Sequence, residues 1–187
     1  MAIGQLPTTL EVNGKSYDIR SDFRVGLNII QAYTDPDLSN VEKSLVLLMC
    51  LYEDYESIPD TDVAEAINKG IWFLDCGKTT EHVTNKKPLY DFEQDEQIIF
   101  SAVNKVAGEE VRSCEYIHFW TFMGYFSEIG MGTFATVVSI REKQRKHKKL
   151  EKAERDFIRD NPDVVNLKRK YSQDDLEFLK QLDDLVN

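Results

Sequence analysis

Polar and apolar residues alternate near the start of the chain. From about residue 23 onward, apolar residues instead recur every three or four positions. Leu10 and Val12 alternate with polar neighbours, as do Tyr17 and Ile19. Between them Asn13-Gly14 supplies the two positive φ values that a type I′ turn needs, so a β-hairpin is expected over 10–19. Ser21-Asp22 offers an N-cap. Phe23, Leu27 and Ile30 then mark the inner face of a first helix ending near Thr34-Asp35-Pro36. Ser39 and Glu42 have the spacing of a capping box, which satisfies two backbone donors reciprocally. They open a second helix with Val41, Leu45, Leu48, Tyr52 and Tyr55 on one stripe. A third, capped by the acids around Asp60 and Asp62, carries Val63, Ile67, Ile71 and Leu74.

Residues 76–88 lose the period and hold glycine, threonines and Lys86-Lys87-Pro88, the composition of a surface linker. The helical period returns with Phe92, Ile98, Ile99, Ala102, Val103 and Val106, closed near Gly108. An aromatic helix begins at Ser113 or Cys114 and aligns Phe119, Phe122, Met123 and Phe126 until Gly130 and Gly132 end it. Phe134, Val137, Val138 and Arg141 restart the spacing. Leu150, Ala153 and Phe157 carry it on as one long charged helix to Asn161-Pro162. Ser172 and Asp175 cap a last amphipathic helix with Leu176, Leu179, Leu182 and Leu185. The expected fold is mainly α: a helical protein with a short N-terminal β-hairpin and two small helical lobes. The N-terminal lobe spans 1–75, a linker 76–90, and the C-terminal lobe 91–187 with the basic helix and the terminal amphipathic helix.

Composition agrees and adds one asymmetry. In 187 residues, 42% hydrophobic and 11% aromatic content suffices for a sizeable core. A net charge of −10 argues against nucleic acid as the main partner, because phosphates need a positive field. The charge is uneven. Over 35–65 nine acids stand against Lys43 alone, and over 141–155 eight bases stand against three acids. Such opposite-sign segments favour self-assembly or a charged partner. The three cysteines, Cys50, Cys76 and Cys114, are widely spaced among apolar residues and read as buried free thiols of a reducing cytosol. No secretory leader pattern and no apolar run of bilayer length is seen, so a cytoplasmic location is expected.

Catalytic chemistry finds no foothold. His82, His118 and His147 stand apart, and no HExxH, Cys-x-x-Cys, P-loop, dinucleotide fingerprint or Gly-x-Ser-x-Gly occurs. Asp60-Thr61-Asp62 imitates the start of a calcium loop, but Glu65 stands where that loop turns on glycine. Helix capping explains these acids better. The expectation is a protein without catalytic residues, cofactor or metal. The aromatic block at 119–126 reads most simply as core, although Trp120 and Tyr125 lie off its stripe and widen the apolar surface toward a second subunit or partner. The basic segment reads most simply as a solvated, salt-bridged face, with Glu142 reaching Lys146 and Glu151 reaching Arg155. Nucleic-acid binding there is the weaker reading, since no exposed aromatics interleave the bases. The terminal leucine stripe docks either on the protein itself or on a partner.

Several strings in order resemble one family. They are His118-Phe119-Trp120 with Phe122 and Phe126, Val138 with Ile140-Arg141, and Glu154-Arg155 in the trailing charged helix. Upstream stand Gly14-Lys15 with Tyr17, Asp22-Phe23-Arg24, Leu38-Ser39 with Glu42-Lys43, and Asp91-Phe92-Glu93 with Asp95. The set, down to about Leu167, resembles the tail assembly chaperone family of long-tailed phages and prophages of Gram-positive bacteria. The chain departs in having Phe119 beside Trp120 where the family often shows two tryptophans, and the segment after Tyr171 matches nothing in it. The resemblance implies a non-enzymatic protein of the host cytoplasm that coats the long apolar tape-measure protein. It would keep that client soluble until tail-tube subunits, the major tail protein, polymerise, and would be absent from the finished virion. On that basis Trp120 and Tyr125 are candidate groove anchors, and Arg141, Arg145 and Lys149, every fourth residue, are candidate rim cations. The rival expectations are a structural tail or neck component, and a helical nucleic-acid-associated phage protein acting through 141–155.

Overall fold

The structure, a computed structural model, describes residues 3–78, 89–168 and 170–186, with the backbone alone at 179 and 181–186. It is mainly helical with one two-stranded N-terminal sheet. The chain divides into two compact units, one formed by 1–79 with 169–187 and the other by 80–168. Most of the expected linker, residues 79–88, lies outside the described residues.

In the first unit, β1 (Thr9–Val12) and β2 (Lys15–Asp18) pair antiparallel with Leu10 opposite Tyr17. Asn13 and Gly14 turn the chain with φ of 46° and 84°, as the two-residue I′ loop requires. Leu10, Val12, Tyr17 and Ile19 are all buried, so the alternation does face a core. The first helix, α1 (Phe23–Thr34), is capped by Asp22, whose carboxylate accepts the Arg24 N–H. The capping box of Ser39 and Glu42 opens α2 (Asn40–Leu51) as expected. At the other end of α2 the Arg20 guanidinium donates to the carbonyls of Met49, Cys50, Tyr52 and Glu53, occupying acceptors that a helix end leaves free. The third helix, α3, is Val63–Leu74.

The helices stand where the sequence puts them, but the buried faces of all three are rotated from the expected stripes, α3 burying Ala66, Gly70 and Phe73. The buried residues of α1 are Phe23, Gly26 and Ile29; those of α2 are Leu47, Leu48 and Leu51, followed by Tyr52. Val41 and Leu45, expected in the stripe of α2, are exposed, as is Ile71 of α3. For α2 and α3 the cause is a close approach at Gly70. A Cβ there would overlap the Cδ2 methyl of Leu47 and stand 3.2 Å from that of Leu51. The bare backbone of α3 thus receives Leu47 and Leu51, turning α2 onto that side. The buried Tyr52 hydroxyl donates to the Ala66 carbonyl at 2.7 Å and ties the same two helices. Gly70→Ala gains about 1 kcal/mol of helix propensity. Overpacking against two fully buried leucines costs about 1–3 kcal/mol. A net loss near 1 kcal/mol is expected in urea unfolding, and an unchanged or raised midpoint would show that Leu47 yields freely.

Periodicity alone groups the last helix with residues 91–187. In the structure α9 (Gln173–Val186) falls in the first unit, and the Gln173 N–H donates to the Asp37 carboxylate at 2.7 Å. Ser172 and Asp175 cap it reciprocally, as the sequence signals.

The second unit is built from α4 (Glu96–Ala107), α5 (Phe119–Ser127), α6 (Thr133–Arg145), α7 (Lys152–Asp160) and α8 (Pro162–Val165). Its core holds Ile99, Val103, Phe119, Phe122, Val137, Ile140 and Val165, all at 0% exposure. Phe126 is only half-buried. Two expectations are corrected here. The aromatic helix does not begin at Ser113 or Cys114, which belong to a short 3-10 turn and its end. It begins at Phe119, where the His118 Nδ1 accepts the Trp120 N–H at 3.0 Å and caps the helix. Nor is the charged segment one long helix. It breaks after Arg145, with His147 at φ 52° and the Lys148 N–H donating to the Lys143 carbonyl at 2.8 Å. Residues 142–149 contain no apolar side chain, so nothing holds a continuing helix against the core. A capping box of Glu151 and Glu154 then restarts the chain as α7.

Candidate partner-binding surfaces

The strongest electrostatic feature of the second unit is internal. Arg141 on α6 and Asp95, just before α4, form a bidentate pair at 2.6 and 2.9 Å, with side-chain exposures of 5% and 2%. The remaining Arg141 donors reach the carbonyls of Val165 (2.7 Å), Leu89 (2.9 Å) and Val164 (2.8 Å). All five guanidinium N–H groups are thereby used. Asp95 also accepts the Asp91 N–H at 3.0 Å. One cation thus ties α4, α6, α8 and the chain at Leu89 together. Arg141 is therefore not a rim residue, and that expectation is withdrawn: its charge is spent inside the unit.

The other expected contact residues do not form one face either. Arg145 is exposed and stands 3.9 Å from Glu142. Lys149 is exposed in the turn after α6, so the every-fourth-residue alignment ends at Arg145. Lys143 pairs with Glu154 of α7 at 2.6 Å, which raises the ammonium and lowers the carboxylate from their ordinary ranges. Trp120 and Tyr125 are half-buried on α5, with Trp120 edge-on to the His118 ring at 6.1 Å.

Two apolar surfaces are left partly open, and they include Val41, Leu45, Ile98, Ala102 and Val106 from stripes expected to face the core. In the second unit, Ile98, Ala102 and Val106 of α4 face the segment 128–134 across an open cleft of about 600 Å³. Met131 stands on its lip at 93% exposure, with Lys105 and Glu128 among the polar lining. Phe134 lines the cleft and belongs to a cluster with Tyr90, Phe92 and Phe126, whose centroids lie 5.2–5.9 Å apart. Burial in that cluster pushes the Tyr90 hydroxyl up from its usual pKa. Neither Trp120 nor Tyr125 lines the cleft. In the first unit, Val41, Leu45 and Met49 leave a stripe on α2 at 79%, 46% and 46% exposure. The signal for both surfaces is in the sequence: α2 and α4 carry more apolar positions than one buried face can use.

Among the described residues no cluster of His, Cys, Asp or Glu could hold a metal, and no helix is long and apolar enough to cross a membrane. The three cysteines are half-buried free thiols.

Against this background the class of protein can be stated: the chain is a bacteriophage protein. It belongs to the Bacteriophage Gp15 protein family, which matches residues 3–172 and so stops just before α9. No curated protein and no solved structure matches it.

Proposed function

We propose that this phage protein is a tail assembly chaperone that binds the tape-measure protein in the host cytoplasm and keeps it soluble until the tail tube forms. It acts without catalysis, cofactor or metal and does not remain in the virion. The observation that carries the reading is the open cleft beside α4. An amphipathic client helix needs an apolar groove for its stripe and a charged lip for register, and Ile98, Ala102, Val106 and Met131 with Lys105 and Glu128 supply both. The net charge of −10 also suits a protein that must keep an aggregation-prone client in solution. Trp120 and Tyr125, half-buried on α5, are proposed as flanking contacts, and Arg145 and Lys149 as outlying cations.

Co-expression tests this. A tape-measure fragment that aggregates alone should stay soluble with the parent protein and co-purify with it. Met131→Asp should reduce retention several-fold, because it places a charge on an apolar lip. Lys149→Ala should change little, and less still in high salt. Mass spectrometry of purified virions should not find the chain; its presence would favour a structural tail component instead. A parent protein that holds no tape-measure fragment would sink the chaperone reading.

A further inference from the structure

The second apolar surface is separate from that cleft and has its own logic. Helix α2 is apolar on two sides. One side buries Leu47, Leu48 and Leu51; the other presents Val41, Leu45 and Met49 to solvent. The three exposed side chains recur at every fourth residue and span about 12 Å, two helical turns. At the Met49 end the stripe runs into a depression of about 200 Å³ lined by Arg20, Val25, Asn28, Met49 and Cys50. A row of apolar side chains ending in a socket is the shape that receives a helix with one projecting anchor.

The charge of the chain on either side of α2 selects the occupant, while Arg20 in the socket donates to the carbonyls of Met49, Cys50, Tyr52 and Glu53. Residues 35–65, which include the whole of α2, carry nine acids and the single base Lys43. The protein's own segments fit poorly. A second copy presenting the same face would bring two strongly acidic segments together. Helix α9 is itself acidic, with Asp174, Asp175, Glu177, Asp183 and Asp184 against Lys180. The basic turn at 145–149 has the right charge but no apolar side chain to fill the stripe. We propose that the Val41, Leu45 and Met49 face of α2 is a docking site for a basic amphipathic helix of a partner protein. The apolar row and socket hold its stripe, and the acidic field steers and orients its cationic flanks.

The test uses the full chain and two synthetic helices of about 18 residues, five turns each. They share one leucine face; one is flanked by lysines and the other by glutamates. Binding is read by fluorescence anisotropy in about 0.15 M salt, where distant surface charges are screened. The parent should bind the lysine helix and not the glutamate helix. Leu45→Gln with Met49→Gln removes the apolar row without changing charge and should weaken binding at least tenfold, with circular dichroism confirming the fold. Ile71→Gln alters an exposed apolar residue of α3 in the same unit and should leave binding as it was. Equal binding of the two helices, or a double variant that binds like the parent, overturns the proposal. So does a concentration-dependent dimer of the parent that the double variant abolishes, since the occupant would then be a second copy. No phage client enters this experiment, so its failure is distinct from failure of the tape-measure reading.

Discussion

Arg141→Ala should destabilise the protein by roughly 3–5 kcal/mol, the usual cost of removing one partner of a buried ion pair. The Asp95 carboxylate, at 2% side-chain exposure beside Arg141, would lose its counter-ion. The carbonyls of Leu89, Val164 and Val165 would lose their donors at the same moment. Each buried acceptor left unsatisfied adds to the cost, so the effect exceeds that of any exposed pair on α6. Arg141→Lys should recover little of the loss, because one ammonium cannot reproduce a planar fork that reaches a carboxylate and three carbonyls. Urea unfolding measures the loss. Hydrogen exchange at residues 164–166 should rise first, because α8 is tethered through two of these bonds. A loss below about 1 kcal/mol, the scale of an ordinary surface substitution, would show that the pair is not what holds the unit together.

Arg141 also shows what the sequence hides. Its spacing from Arg145 and Lys149 suggests a cationic rim, yet it equally occupies the apolar stripe of Phe134 and Val137. An arginine on an apolar stripe is buried only with a partner, and the partner, Asp95, lies 46 residues away. Local pattern carries no information about that distance. The signal was present, but it could be read only once the fold had brought α4 and α6 together.

Most capping and turn chemistry was legible because it is local, but the acids expected to cap α3 do not cap it: Asp62 makes no capping bond and accepts instead from the Asn13 side-chain amide at 2.9 Å. Asn13-Gly14, Asp22, Ser39 with Glu42, and Ser172 with Asp175 all do what their residue types dictate. Which apolar stripe faces inward was not legible, because α2 and α4 each carry two. The choice is made by tertiary contacts such as Leu47 against Gly70. The break after Arg145 follows from eight residues without an apolar side chain, a signal that the charged spacing on either side obscures. Of the terminal leucine stripe, Leu176 is exposed at 41%, while the side chains of Leu179, Leu182 and Leu185 lie outside the described residues.

Phe122→Ala should cost about 3–5 kcal/mol, as truncation of a buried phenylalanine does elsewhere. Its ring is fully buried and lies 5.7 Å from that of Phe100 on α4, so its loss opens a cavity between α4 and α5. The neighbouring Phe100 ring is held by α4, which limits collapse into the space and keeps the penalty high. The result bears on the proposed client cleft. One wall of the cleft is α4 and the other is the chain that leaves α5 at Glu128. Loosening α4 against α5 should therefore weaken client retention in proportion to lost stability. Met131→Asp should weaken retention with stability unchanged. Urea unfolding and co-purification on the same two variants separate fold from contact. A Phe122→Ala loss under about 1 kcal/mol would mean that the aromatic stripe is a surface feature and not the core of this unit.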